Sequence, residues 1–282
     1  MNKRPVIPPE HVGFLRAIVP VGDVVVDVME VAGVPPLTKE QRHGFDCLHA
    51  YLFSPQPDWL TKLRANPKSE RWYKRFVGGI YDGVQSARLA AGYHLENVVS
   101  LEAQVDRVLT GRDLSSIPAN SVVAVGGTQK FEFEYHSYIL AYRRVLEYMA
   151  RAIAGYFRSD CNSFRDLPKV LDREAARIAS TSVRAVYEKY RPQFSFVVSE
   201  GGQHVSLRDL LCHYEFLGAG VYNLTASGFK FCGGAELLGQ NGASHRLSEV
   251  LTSKIDLLDS FITEMLCELT DAIRKENPVL QS

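Results

Sequence analysis

Apolar residues recur along this chain at spacings of three, four and seven, the repeat that lines one side of an α-helix. Two stretches carry it most clearly. Phe131, Tyr135, Tyr138, Tyr142, Val145, Met149, Ala152 and Tyr156 alternate four and three, which predicts one long helix with an aromatic seam. Leu251, Ile255, Leu258, Ile262, Met265, Leu269 and Ala272 repeat the pattern and predict a closing helix from about Leu247 to Lys275. Between them, "LPKVLDREAARIASTSVRAVYEKYRP" predicts a second helix stopped by Pro192, and Ser206 opens a short one. Three or four helices with such stripes bury them against each other, so the expected fold class is all-α, mainly helical, a bundle.

The first half is less regular. Thr38 caps a helix that begins Lys39-Glu40-Gln41 and ends near Phe53, before Pro55 and Pro57. "DWLTKLRA" predicts a short helix. From Ser69 to about Leu109 the apolar spacing is helical again, and Gly78, Gly79, Gly83 and Gly92 mark a break or kink. Residues 1 to about 36, rich in proline and valine, read as an irregular arm with a strand or helical turn around Asp23 to Val31. "VVAVGG" and "QFSFVVSEGGQHV" are strand-like. "GAGVYNLTASGFKFCGG", with its glycines and alternation, predicts a hairpin or loop excursion. The linker "TGRDLSSIPANS" places the main boundary near residue 120. That gives a helical N-terminal region of unknown role over 1–120 and a bundle over 121–282.

Composition narrows the function classes. The chain has 282 residues, 46% of them apolar, enough to bury a core and too apolar for disorder. Its formal net charge is zero, which argues against a broad nucleic-acid-binding surface. Residues 130–191 nevertheless carry 12 Lys/Arg against 8 Asp/Glu, a local excess suited to a phosphate backbone. Five cysteines, odd in number and without a CxxC, argue against a disulfide framework and a structural zinc site. His43 and His49 stand six apart, about 240° around a helix, a poor arrangement for a shared metal. No cofactor or metal is expected. No apolar run matches a signal peptide or membrane span, and the scattered cysteines make a reducing cytoplasm the expected location.

The stretch "SLRDLLCHYEF", Ser206 to Phe216, concentrates the candidate chemistry. Ser206 and Asp209 stand in the S-x-x-[DE] relation of a capping box. The serine hydroxyl would accept from the Asp209 N–H and the carboxylate would reach back to the Ser206 backbone. The leucines suit a core. Arg208 and His213 remain. Histidine moves protons near neutral pH, and arginine holds two phosphate oxygens while negative charge builds.

Arg208, a polar residue directly after it and a histidine five positions on resemble the R-x(4–6)-H motif of HEPN domains. The resemblance covers roughly residues 130–275, in the family's helix order, and implies a four- or five-helix bundle, from which the excursion at 217–245 departs. It implies a metal-independent endoribonuclease, an RNA-binding nuclease and hydrolase in which the RNA 2′-hydroxyl attacks the adjacent phosphorus. The products would be a 2′,3′-cyclic phosphate and a 5′-hydroxyl. It further implies catalytic roles for Arg208, His213 and Asp209, and a toxin or antiviral-defence role with an antitoxin or regulatory partner. Tyr214, Arg144 and Arg151 are the candidates for binding RNA, whether tRNA or mRNA.

Residues five apart on a helix sit about 140° apart around its axis. Arg208 and His213 therefore do not simply share a face, and a homodimer with a composite site is expected from this offset and from the family. The alternative is a catalytically inactive HEPN-like bundle serving as a nucleotide-binding or scaffolding module.

Overall fold

A computed structural model describes residues 9–18, 21–119, 121, 123–199, 205–213, 221–232 and 246–277, with backbone alone for His213 and several strand positions. In chain order the elements begin with helices α1 (Pro9–Ile18), α2 (Gly22–Ala32), α3 (Lys39–Phe53), α4 (Asp58–Ala65) and α5 (Glu70–Tyr73). A π-helical stretch, Lys74–Val84, then leads into α6 (Gln85–Leu109), strand β1 (Val123–Val125) and helix α7 (Gln129–Tyr156). After a 3₁₀ turn come α8 (Leu167–Arg173), α9 (Ile178–Tyr190), α10 (Leu207–His213), strands β2 (Val221–Thr225) and β3 (Gly228–Cys232), and α11 (Leu247–Glu276). The fold is all-α, mainly helical. Among the described residues no helix is long and apolar enough to cross a membrane.

Contacts divide the chain into compact units at 1–43 and 44–282. The division falls inside α3, and the segment near residue 120 lies within the second unit. In the first unit α1 packs on α2, with an exposed ion pair between Arg16 and Asp23 at 2.8 Å. The expected irregular arm is thus two helices. The valine-rich run is helical although only Val26 among its valines is buried; valine's disadvantage in a helix is only a few tenths of a kcal/mol. Thr38 caps α3 reciprocally: the Gln41 N–H donates to Thr38 Oγ1 at 3.3 Å, and the Thr38 N–H donates to Gln41 Oε1 at 2.9 Å.

In the second unit α7 is the central helix. Every residue of the aromatic seam is buried, none more than 6% exposed. The stripe of α11 is buried likewise. Tyr138 and Tyr142 donate to the α11 carbonyls of Leu251 and Lys254 at 2.8 and 3.0 Å, which satisfies two phenols that the core would otherwise strand. The other neighbour is the rod from Glu70 to Leu109, packed along α7. Two of its glycines are explained by this packing. A Cβ on Gly79 would stand 3.1 Å from the Ala152 Cβ, and one on Gly83 3.0 Å from the Tyr148 ring. The expected kink takes the form of π winding over that stretch.

Two expectations are corrected. The segment 167–192 is not one helix. It breaks at Glu174–Arg177 because Glu276 of α11 reaches the break: its carboxylate accepts from the Ala179 N–H at 2.8 Å and from Arg177 Nη2 at 2.7 Å. Ser180 then donates back to the Leu171 carbonyl at 2.7 Å. The strand-like "QFSFVV" is a 3₁₀ turn at Arg191–Phe194 followed by further turns. Phe194, Phe196, Val197 and Val198 are all buried, so the alternation does not mark two faces.

The hairpin forms as expected, with β2 antiparallel to β3 and Thr225 opposite Gly228. Gly228 has φ +115°, open to glycine alone at little cost. β1, the expected short strand, adds to the free side of β2.

An ion pair is set into this largely apolar core. Arg88 of α6 makes a two-point contact with Asp259 of α11, at 2.5 and 2.7 Å, with side chains 5% and 17% exposed. Removing one partner of such a pair leaves a buried charge. Asp259→Ala is expected to lower unfolding free energy by about 3–5 kcal/mol in urea titrations, and the paired apolar replacement Arg88→Met with Asp259→Leu to cost far less.

Candidate functional site

A cleft of about 320 Å³ opens where α7, the turns after it and α10 meet. Arg143, Glu147 and Arg151 line it from α7, spaced four apart and so on one side of the helix. Asn162, Ser163 and Arg165 come from the turn before α8, Val198 and Ser199 from the turn before α10, and Arg208 and Asp209 from α10 itself. Four arginines face two carboxylates.

Hydrogen bonds hold the first turn of α10. The Leu207 N–H donates to the Phe196 carbonyl at 2.8 Å, and the Asp209 N–H to Ser206 Oγ at 3.3 Å, the cap expected from the sequence. The return half of the capping box differs. The Ser206 N–H donates to Ser199 Oγ at 3.2 Å, and the Ser199 hydroxyl in turn donates to Asp209 Oδ2. Asp209 also accepts from the Ser206 hydroxyl at 3.0 Å and from Arg208 Nη1 at 2.8 Å. Burial pushes its carboxyl up, but the hydrogen bonds from Ser199, Arg208 and Ser206 outweigh that and hold it below the ordinary value. Asp209 is thus an ionised tether that aims Arg208 and closes the helix start.

Arg143 is the cleft's most confined cation. Its side chain is 13% exposed. It pairs with Glu147 and donates through Nη1 to the Val197 carbonyl at 3.2 Å. Its Nε–H is shut off from solvent and has no hydrogen-bond partner among the described residues. Burial lowers its affinity for the proton, Glu147 opposes that, and the neighbouring Arg208 charge adds to the lowering. Arg143 and Arg208 line one cleft from two elements, an arrangement that suits an anion. Glu147 also accepts from the Phe164 N–H at 3.0 Å, which ties the 162–165 turn to α7. Arg151 donates to the Asn162 carbonyl at 3.3 Å.

Of the residues expected from the sequence, Arg208, Asp209 and Arg151 line the cleft. Arg144 is exposed and is not among its lining residues. His213 closes α10; its side chain, and all of Tyr214, lie outside the described residues. Arg143 and Glu147 had a legible signal, the R-x₃-E-x₃-R spacing on a predicted helix. Ser199 had none, because it belongs to a turn that reads as strand.

No protein-family profile, no curated protein and no solved structure matches the chain.

The Asp209 tether has a pH signature. A carboxyl held low in the folded chain stabilises fully above its ordinary pKa of about 3.9 and loses that contribution as pH falls through the folded value. The thermal midpoint of the wild type should therefore exceed that of Asp209→Asn by a steady margin from neutral pH down to about 4. The margin should shrink on further acidification. A margin that stays constant throughout that acid range would remove the tether.

Proposed function

We propose that the chain is a metal-independent endoribonuclease of the HEPN type, acting as a toxin or antiviral-defence effector, with the arginine cleft beside α10 as its phosphodiester site. The observation that carries the reading is the cleft itself: Arg143, Arg151, Arg165 and Arg208 line it against only two carboxylates, Glu147 and Asp209. A phosphodiester bound there brings negative charge among these guanidiniums. Arg208 stabilises charge on the phosphoryl oxygens, while His213 moves the proton taken from the 2′-hydroxyl or given to the departing 5′-oxygen. Asp209 orients Arg208, Arg151 extends the contact to a flanking phosphate, and Tyr214 offers a face for a base. The 140° offset between Arg208 and His213 along α10 is met by a second copy, each protomer contributing half of a composite site.

Incubation of the wild type, Arg208→Ala and His213→Ala with total RNA in EDTA tests this. Cleavage with cyclic-phosphate ends by the wild type, falling about 10²–10⁴-fold in His213→Ala, is the expected result. Arg143→Ala should weaken RNA binding and flatten its salt dependence by about one phosphate contact. A folded wild type that leaves RNA intact would move the reading to a non-enzymatic nucleotide-binding bundle, and one that also fails to bind RNA would end it.

A further inference from the structure

Two cysteines separated by 220 residues of sequence meet where α3 crosses α11. The crossing depends on Gly44. A Cβ there would lie 2.9 Å from the Thr263 Cα and 3.2 Å from its carbonyl oxygen, a clash with backbone that only glycine avoids. About one turn further along each helix stand Cys47 and Cys267, with their sulfurs within 4.8 Å of each other. Both side chains are half-buried, and neither is in a disulfide. Burial first, then Cys47, then Asp271 and Glu268 push the Cys267 thiol up to about 12. It is the meeting of the two sulfurs, not their titration, that offers a cation two ligand atoms.

We propose that Cys47 and Cys267 form a thiolate pair that binds one thiophilic divalent cation of the zinc–cadmium class and clasps α3 to α11. Metal–sulfur bonds of about 2.3 Å at a tetrahedral angle set the sulfurs roughly 3.8 Å apart, within the span observed. A disulfide requires about 2.05 Å, so both side chains would have to turn inward across a crossing set by Gly44. Each thiol gives up its proton as the metal–sulfur bond forms, so binding releases two protons and changes no oxidation state. Asp271 stands one turn beyond Cys267 on α11 and adds negative charge on the same side; water fills the remaining positions. The site is independent of the arginine cleft and of any reaction there.

Titration of the reduced, metal-stripped chain with cadmium ions alone, followed through the ultraviolet sulfur-to-cadmium charge-transfer band, tests the site. Saturation at one cadmium per chain is expected, with a native mass heavier by one cadmium and lighter by two protons. Cys47→Ser and Cys267→Ser should each abolish the band in a chain whose circular dichroism is unchanged. Cys161→Ser and Cys212→Ser should retain it. A band that survives in either of the first two variants overturns the assignment, as does a folded wild type that binds no cadmium. Mild oxidation that links Cys47 to Cys267 in such a cadmium-blind chain would replace the site with a redox link.

Discussion

The second unit depends on the burial of α7. A 28-residue helix with a buried stripe running along it needs partners for the polar groups it carries into the core. Its phenols at Tyr138 and Tyr142 donate to α11 carbonyls. The rod that contains the π-helical stretch approaches closely enough to need glycine at the contacts. Where α7 carries Arg143 and Glu147 instead of apolar side chains, the surrounding turns fold around them: the Val197 carbonyl accepts from Arg143, and the Phe164 N–H donates to Glu147. The cleft is the place where the helix's need for burial and its charged residues conflict.

That conflict makes the cleft more than a surface patch. An exposed arginine pair would be solvated and screened, worth little to a ligand. Arg143 sits in a confined setting, with its geometry held by the core below and by a backbone carbonyl beside it. Asp209 does the same for Arg208 from the other wall, itself held by Ser199 and Ser206. Donors held in place before an anion arrives cost little reorganisation when it binds. The neutral net charge of the chain therefore does not weigh against a phosphate site; the charge is concentrated by folding.

The cysteine pair illustrates the same principle at the far end of α11. Nothing about Cys47 or Cys267 in isolation suggests chemistry, and the absence of a CxxC argues against a metal. A single glycine contact between two helices brings the sulfurs together.

How much was legible before folding follows from the range of each signal. Local periodicity named α7 and α11 with their buried faces, because one buried stripe repeats over many turns. Local hydrogen bonding named the caps at Thr38 and Ser206, and turn chemistry the hairpin at Gly228. Within the site, the sequence alone singled out Arg208, Asp209 and Arg151. Tertiary structure decided the rest. Glu276 reaches the break in the helix expected at 167–192, and a turn that buries Phe194, Phe196, Val197 and Val198 stands where 193–198 read as strand-like. The valine-rich arm is two helices rather than irregular chain. Packing brought Arg143 to Arg208 and Cys47 to Cys267, pairs whose members lie 65 and 220 residues apart. Periodicity and capping act over a few residues and are written in sequence order; ion pairs, clefts and helix crossings join distant segments, and only the closed core sets those distances.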